Sequence, residues 1–280
     1  MDQLLSGKNV LVTGAGRNIG RAIAIEMARE GANVYFTEIA KDRCKSLEKE
    51  LSALAISSRG FVADIARADE TENLCSLLSR ERVNIDVLVN NVGIDCAKKM
   101  SERSLFERVA ARVGSKKEVS RMQEIWRDVY DTNIFGPVYL TDLISEMMVR
   151  GGVAGSIIFV TSIHQWMVSR DATYSSSKAA LGMLIKELAV TLAPHSIRVN
   201  GIAPGYVGKD EHGKPLNKAH TPLYGTSIDP CYIGRAAVYL SSDYFSKFTT
   251  GTVLKIDGGL SLHNHMVELF PAKSSDPGES

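Results

Sequence analysis

Apolar residues along this chain fall into short runs separated by stretches of helical spacing, and the two kinds of segment alternate through almost its whole length. Residues 8–13 (KNVLVT) form a short β-rich run. Residues 19–30 follow with Ile23 and Met27 on one side of a helix, and Gly31 stands where that helix should stop. Residues 33–37 (NVYFT) predict a second strand and 42–54 a second amphipathic helix; 60–63, 69–81 and 85–90 continue as strand, helix, strand. Beyond them, 156–161 (SIIFVT) predicts a buried strand, 174–192 a long helix, 198–202 a strand, 230–240 a short helix and 252–256 the last strand. The apolar runs lack polar alternation, as in strands covered on both faces. A helix between successive strands is what parallel pairing needs to return the chain. The pattern therefore predicts an α/β fold, a single doubly wound parallel sheet with helices on both faces, over residues 1–262.

Two segments depart from the alternation. Residues 98–127 carry nine Lys/Arg against four Asp/Glu. Leu105, Phe106, Val109 and Val113 have helical spacing, Gly114 interrupts, and Ser115-Lys116-Lys117-Glu118 fits a capping box, so an inserted helical hairpin is expected. Residues 263–280 lose periodicity and end polar, with Pro and Gly, and are expected to be partly disordered. The remaining composition is that of an ordinary soluble protein of 280 residues, with 44% hydrophobic and 23% charged residues. A formal net charge of +1 gives no global field to recruit nucleic acid or an anionic membrane. Neither a secretory leader nor a membrane span is expected. Cys44, Cys75, Cys96 and Cys231 lack the paired spacing of a zinc or redox motif and read as free thiols of a cytoplasmic protein.

Chemistry enters at Thr13-Gly14-Ala15-Gly16-Arg17-Asn18-Ile19-Gly20, between the first strand and the first helix. Glycines there allow a tight turn and close approach to a pyrophosphate, and the helix start offers free N–H groups, as in a Rossmann fold. Glu38 ends the second strand 18 residues after Gly20, where an acid can accept hydrogen bonds from the adenine-ribose hydroxyls and repel a 2′-phosphate. It favours NAD; Arg17, a cation beside the same loop, keeps NADP possible.

Tyr174 and Lys178 lie four apart at a helix start, so both project from one face. A lysine ammonium beside a tyrosine favours its phenolate, giving a group that exchanges a proton with an alcohol or carbonyl. Ser162 directly follows the 156–161 strand, and Asn90-Asn91-Val92-Gly93 ends the strand before it, so both lie at the carboxyl edge of the sheet.

With these motifs in order, joined by Asp64, Asn133, Pro204-Gly205 and Asp257-Gly258-Gly259, residues 7–262 resemble the short-chain dehydrogenase/reductase family in its shorter, single-domain type. The resemblance implies that Tyr174 is the general acid/base and that Ser162 hydrogen-bonds the substrate oxygen. Lys178 would bind nicotinamide ribose and depress the tyrosine pKa, and Asn133 would hold a water in a proton relay. Asp64 with Ile65 would contact adenine, Asn90, Val92 and Gly93 would line the cofactor site, and Pro204, Gly205 and Val207 would lie by the nicotinamide. Three positions depart from the family pattern: Asn18 replaces a glycine, Val92 an alanine, and the Ser162–Tyr174 spacing is short. Thr161 is a weaker candidate for the serine role.

Ser162-Ile163-His164-Gln165-Trp166 is similar to the corresponding segment of glucose 1-dehydrogenases. It points to His164 and Gln165 as donors to sugar hydroxyls and to Trp166 as a packing face; His164 bracing the loop and Trp166 in a subunit contact is the alternative. Residues 204–228, rich in polar side chains (Lys209, Asp210, Glu211, His212, Lys214, Asn217, Lys218, His220), would form a substrate lid. A secondary alcohol–carbonyl oxidoreductase acting on a sugar, polyol or other polar hydroxy compound is expected. A hydroxysteroid- or acyl-carrier-type ketone reductase and a non-catalytic nicotinamide sensor are the other readings. The resemblance also implies a homo-oligomer, a dimer or a tetramer built partly on the helix of Tyr174.

Overall fold

The computed structural model describes residues 3–54, 56–95, 116–209, 214, 216 and 221–262. Among them, seven strands form one sheet: β1 (Asn9–Val12), β2 (Asn33–Glu38), β3 (Ser58–Val62), β4 (Val87–Asn90), β5 (Ser156–Val160), β6 (Arg198–Pro204) and β7 (Val253–Ile256). Every pairing is parallel, in the order β3-β2-β1-β4-β5-β6-β7. The helices are α1 (Asn18–Arg29), α2 (Lys41–Leu51), α3 (Ala68–Arg80), α4 (Lys116–Tyr130), α5 (Gly136–Arg150), α6 (Ala172–Leu192), α7 (Pro230–Ser241) and the single turn α8 (Asp243–Ser246). This is the doubly wound sheet the alternation predicts.

Strand side chains point to opposite faces in turn, which divides the core in two. Val10, Val12, Val87, Val89, Ile158 and Val160 pack with Ile23 and Met27 of α1, Leu47 of α2 and Ile233 of α7. Leu11, Leu88, Ile157 and Phe159 pack with Leu74 of α3, Leu140 and Ile144 of α5 and Leu181 and Ile185 of α6. Uninterrupted apolar runs are thus what strands between two helical layers need. The chain winds outward from β1 to β3 and then restarts beside β1 with β4, so the connections diverge above the carboxyl ends of those two strands and leave a crevice there.

Boundaries shift for local reasons. The second helix ends at Leu51 and closes with a 3-10 turn, Ser52–Leu54. Helix α6 starts at Ala172 because Asp171 caps it, its Oδ1 accepting from Tyr174 N at 3.0 Å, so Tyr174 lies in the first turn. Helix α4 is the second arm of the expected hairpin. It runs through a π-helical turn, Asp131–Phe135, directly into α5, making one interrupted helix of the sheet's own layer. The rest of that hairpin with Cys96, much of the polar lid and residues 263–280 lie outside the described residues. No helix among the described residues is long and apolar enough to cross a membrane.

Candidate active site

The glycine-rich turn leaves β1 and enters α1 at Asn18, whose φ of 45° is the left-handed geometry for which asparagine is a tolerated substitute for glycine. No side chain caps α1 and its first turn holds no acid, so its leading N–H groups face the crevice unneutralised. Gly20 permits the close approach that shapes this turn: a Cβ there would lie 2.3 Å from Gly14 O. Asn91 braces the loop, its Nδ2 donating to Thr13 O at 2.9 Å and Gly14 O at 3.2 Å. A hollow of about 530 Å³ results. Gly14, Arg17, Asn18, Ile19, Gly20, Glu38, Asp64, Ile65, Val92 and Gly93 line it, joined by Ile39, Arg43 and Asn91.

Asn90 does not join them. Its side chain is buried and donates to Thr141 Oγ1 of α5 at 2.8 Å. Successive residues at the end of a strand point to opposite faces, so the cleft residue of this pair is Asn91.

A second hollow, about 490 Å³, shares Asn18, Ile19, Asn91 and Gly93 with the first, so one cleft runs across the sheet edge. Ser162, His164, Tyr174, Lys178, Pro204, Gly205 and Val207 line it. So do Asp95, Ser169, Asp171 and Tyr206, which the sequence motifs did not single out. The first three add hydrogen-bonding and acidic groups around the reacting end of the cleft; polar residues just after a strand or before a helix cap were the available signal.

Within this hollow Ser162 lies beside Tyr174, close enough to favour its phenolate. Ser162 Oγ also accepts from His164 N at 3.2 Å, which fixes the serine rotamer. The Lys178 ammonium donates to Val160 O at 3.1 Å and lies 5.5 Å from the centre of the Tyr174 ring. Lys178 also closes over Gly93, where a Cβ would lie 3.0 Å from Nζ.

Asn133, in the π-helical turn, is fully buried and bonded on every side by protein. Its Oδ1 accepts from Ile94 N at 2.8 Å, while Nδ2 donates to Ile94 O and to Ser177 Oγ, each at 3.0 Å. The side chain therefore clamps the segment leaving β4 to the second turn of α6.

Burial pushes the Tyr174 phenol above its ordinary value; Ser162 opposes this, and the carboxylates of Asp95 and Asp171 add to it. Burial also makes the Lys178 charge costly and lowers its pKa to about 8.

Of the four residues after the serine, only His164 reaches the hollow. The 3-10 turn Ile163–Gln165 advances each residue by about a third of a turn, which sends consecutive side chains in different directions. Ile163 enters the core and His164 presents its ring edge-on to Tyr174 at 6.1 Å. Gln165 folds back, its Nε2 donating to Thr161 Oγ1 at 3.1 Å, which also commits Thr161. Trp166 stays about half exposed beneath the Lys255 ammonium, 4.8 Å from its ring. Neither Gln165 nor Trp166 lines the hollow.

A dinucleotide fits this cleft: uncapped helix N–H groups for a pyrophosphate, an acid at the end of β2, and a buried ammonium beside a phenol at the far end. The fold and this cleft agree with the family comparison. The family profile described as short chain dehydrogenase matches residues 8–220, and the chain belongs to that family of oxidoreductases. It is similar to a 3-oxoacyl-[acyl-carrier-protein] reductase of Staphylococcus epidermidis, 30% identical over 90% of this chain and 98% of the relative. L-rhamnose 1-dehydrogenase (NAD(P)(+)) of Azotobacter vinelandii is 31% identical, over 92% and 98%. Among solved structures, a 7α-hydroxysteroid dehydrogenase complexed with NADH and 7-oxo glycochenodeoxycholic acid superposes with a TM-score of 0.77 at 28% identity, covering 92% of this chain and 96% of that one.

Proposed function

We propose that the protein interconverts a secondary alcohol and a carbonyl with NAD(P), and that its substrate is a sugar, polyol or other polar hydroxy compound. One observation carries the reading: a phenol with Ser162 beside it and flanked by the buried Lys178 ammonium, at the far end of a cleft that starts at the glycine-rich turn. The nicotinamide, when bound, accepts or returns the hydride. Tyr174 takes the hydroxyl proton in oxidation and returns it in reduction. Ser162 holds the substrate oxygen and orients it toward the phenol. Lys178 and Asn133 hold the site in shape, the first from beneath Tyr174 and the second by clamping Ile94 to Ser177. The α1 amino end would bind the pyrophosphate, with Arg17, Glu38 and Asp64 toward the adenosine; Glu38 favours NAD.

The polar substrate is supported by Asp95, His164, Ser169 and Asp171 in the described lining. His164 Nδ1 is buried without a hydrogen-bond partner among the described residues, which suits a donor or acceptor arriving with the substrate. Similarity to an L-rhamnose dehydrogenase agrees with this reading, and similarity to acyl-carrier-protein reductases favours a ketone reductase as the second one. Met183 and Val190 exposed on α6 support a homo-oligomer through that helix. The thiols of Cys44, Cys75 and Cys231 are free and suit a reducing cytoplasm.

NADH formation followed with a panel of sugars, polyols, hydroxysteroids and β-hydroxyacyl thioesters tests the proposal. Turnover of a polyhydroxy compound supports it, and turnover confined to thioesters or steroids replaces the substrate class. Tyr174→Phe should remove turnover and leave NADH binding within about threefold; an active variant overturns the acid/base assignment.

A further inference from the structure

Glu38 is the residue on which the preference for NAD rests, and its carboxylate is already engaged. It is only 4% exposed. Its Oε2 accepts from Gly16 N at 3.0 Å, and its Oε1 accepts from Ala40 N at 3.0 Å. The same Oε1 takes both Arg43 Nε at 2.9 Å and an Arg43 terminal nitrogen at 2.5 Å. Position 16 has room for this only as glycine, since a Cβ would lie 2.3 Å from Glu38 Oε2. A carboxylate offers about four acceptor positions. Four donors fill the equivalent of that number, crowded on Oε1, so only Oε2 retains capacity for a ribose hydroxyl.

Arg43 lies in the first turn of α2 and its side chain is 39% exposed, so it is neither sequestered nor free. It lines the same hollow as Glu38 and Arg17. An uncompensated glutamate would repel a 2′-phosphate, but here the pair carries no net charge and one member is a planar, multidentate phosphate ligand.

We propose that Arg43 is a specificity-determining residue that cancels the repulsion of Glu38, so that one site accepts both the 2′-hydroxyl of NAD and the 2′-phosphate of NADP. With NAD, Arg43 remains on Glu38 Oε1 and Oε2 takes the ribose hydroxyl. With NADP, Arg43 shares its outer N–H groups with the phosphate, assisted by Arg17. The inference rests on the nicotinamide-cofactor reading above and goes beyond it, since Glu38 alone would make the site exclusive for NAD.

Equilibrium titration of the full-length protein with NADH and NADPH, by calorimetry and without any substrate, tests it. The wild type should bind both, with Kd values within about tenfold of each other. Arg43→Met should weaken NADPH by about tenfold or more and move NADH by no more than about threefold. Glu38→Gln should shift the ratio the other way, toward NADPH. Arg43→Lys should restore NADPH binding only in part, because lysine lacks the planar fork. Arg43→Met leaves a buried carboxylate uncompensated and can compromise folding. The comparison is therefore repeated as Glu38→Gln against Glu38→Gln/Arg43→Met, where the second change should again weaken NADPH selectively. Equal loss of both cofactors in either background, or an unchanged NADPH Kd, overturns the role of Arg43. Failure of the wild type to bind either cofactor overturns instead the reading on which it rests.

Discussion

Lys178 brings an ammonium into a place where its described partner is a neutral carbonyl, Val160 O, and not a carboxylate. Burial lowers its pKa from 10.5 to about 8, so the folded protein holds the charged form at a cost. Between pH 8 and 10.5 the folded chain binds fewer protons at this group than the unfolded chain. Stability contributed by this group therefore rises with pH across that window, and the full cost is present below it. Lys178→Met should stabilise the cofactor-free protein at pH 7 by about 1–3 kcal/mol while removing turnover. Urea unfolding at pH 7 and 10 checks it: the variant's advantage should shrink at the higher pH, and an advantage independent of pH would point to packing instead. Tyr174 has the opposite problem, since burial holds its phenol protonated and Asp95 reinforces that. Asp95→Asn should move the rising, acid-side limb of the kcat/KM profile for alcohol oxidation to lower pH. An unmoved limb would remove Asp95 from the electrostatics of the phenol.

At the scale of elements, the decisive feature is the π-helical turn Asp131–Phe135 between α4 and α5. It places Asn133 where one amide clamps both backbone groups of Ile94 and reaches Ser177 in α6, tying three elements together. Ser177 is fully buried, while Ser176 beside it receives a hydrogen bond from the Tyr130 hydroxyl nearer the surface. Loss of a buried partner costs more than loss of an accessible one. Ser177→Ala should therefore destabilise by about 1–2 kcal/mol and Ser176→Ala by less than about 1 kcal/mol, measured by urea unfolding. Equal costs would mean that Asn133 finds another acceptor. The strands and helices around this turn were legible, because two-faced burial leaves uninterrupted apolar runs and helical spacing leaves periodic ones. The π turn was not: one extra residue in a helix changes no composition and barely shifts a periodic pattern. The same limit hid the directions of Gln165 and Trp166, which a 3-10 turn sets. It also hid Arg43, whose partner lies across a strand-to-helix connection rather than at helical spacing. That Tyr174, Lys178 and Ser162 share one hollow was legible, because helical spacing puts the first two on one face and Ser162 directly follows a strand.

For the whole molecule, the order β3-β2-β1-β4-β5-β6-β7 is what joins these parts, since only the divergence of connections beside β1 and β4 opens one cleft long enough for a dinucleotide. Both ends of that cleft are assembled from segments far apart in sequence, Thr13–Asn91 at one end and Val160–Lys178 at the other. A ligand spanning both ends binds the folded chain and not the unfolded one, so it must raise global stability. NADH at about a hundred times its Kd should add about 2.7 kcal/mol to the free energy of unfolding and raise the thermal midpoint by several degrees. The gain depends on the turn at Gly20, where any Cβ meets Gly14 O at 2.3 Å and Asn91 Nδ2 at 2.5 Å. Gly20→Ala must push that turn out of shape, so it should lose most of the NADH-induced shift even when the variant's own midpoint falls only modestly. A full shift retained in Gly20→Ala would mean that the cofactor does not lie against this turn, and would move the dinucleotide out of the cleft between β1 and β4.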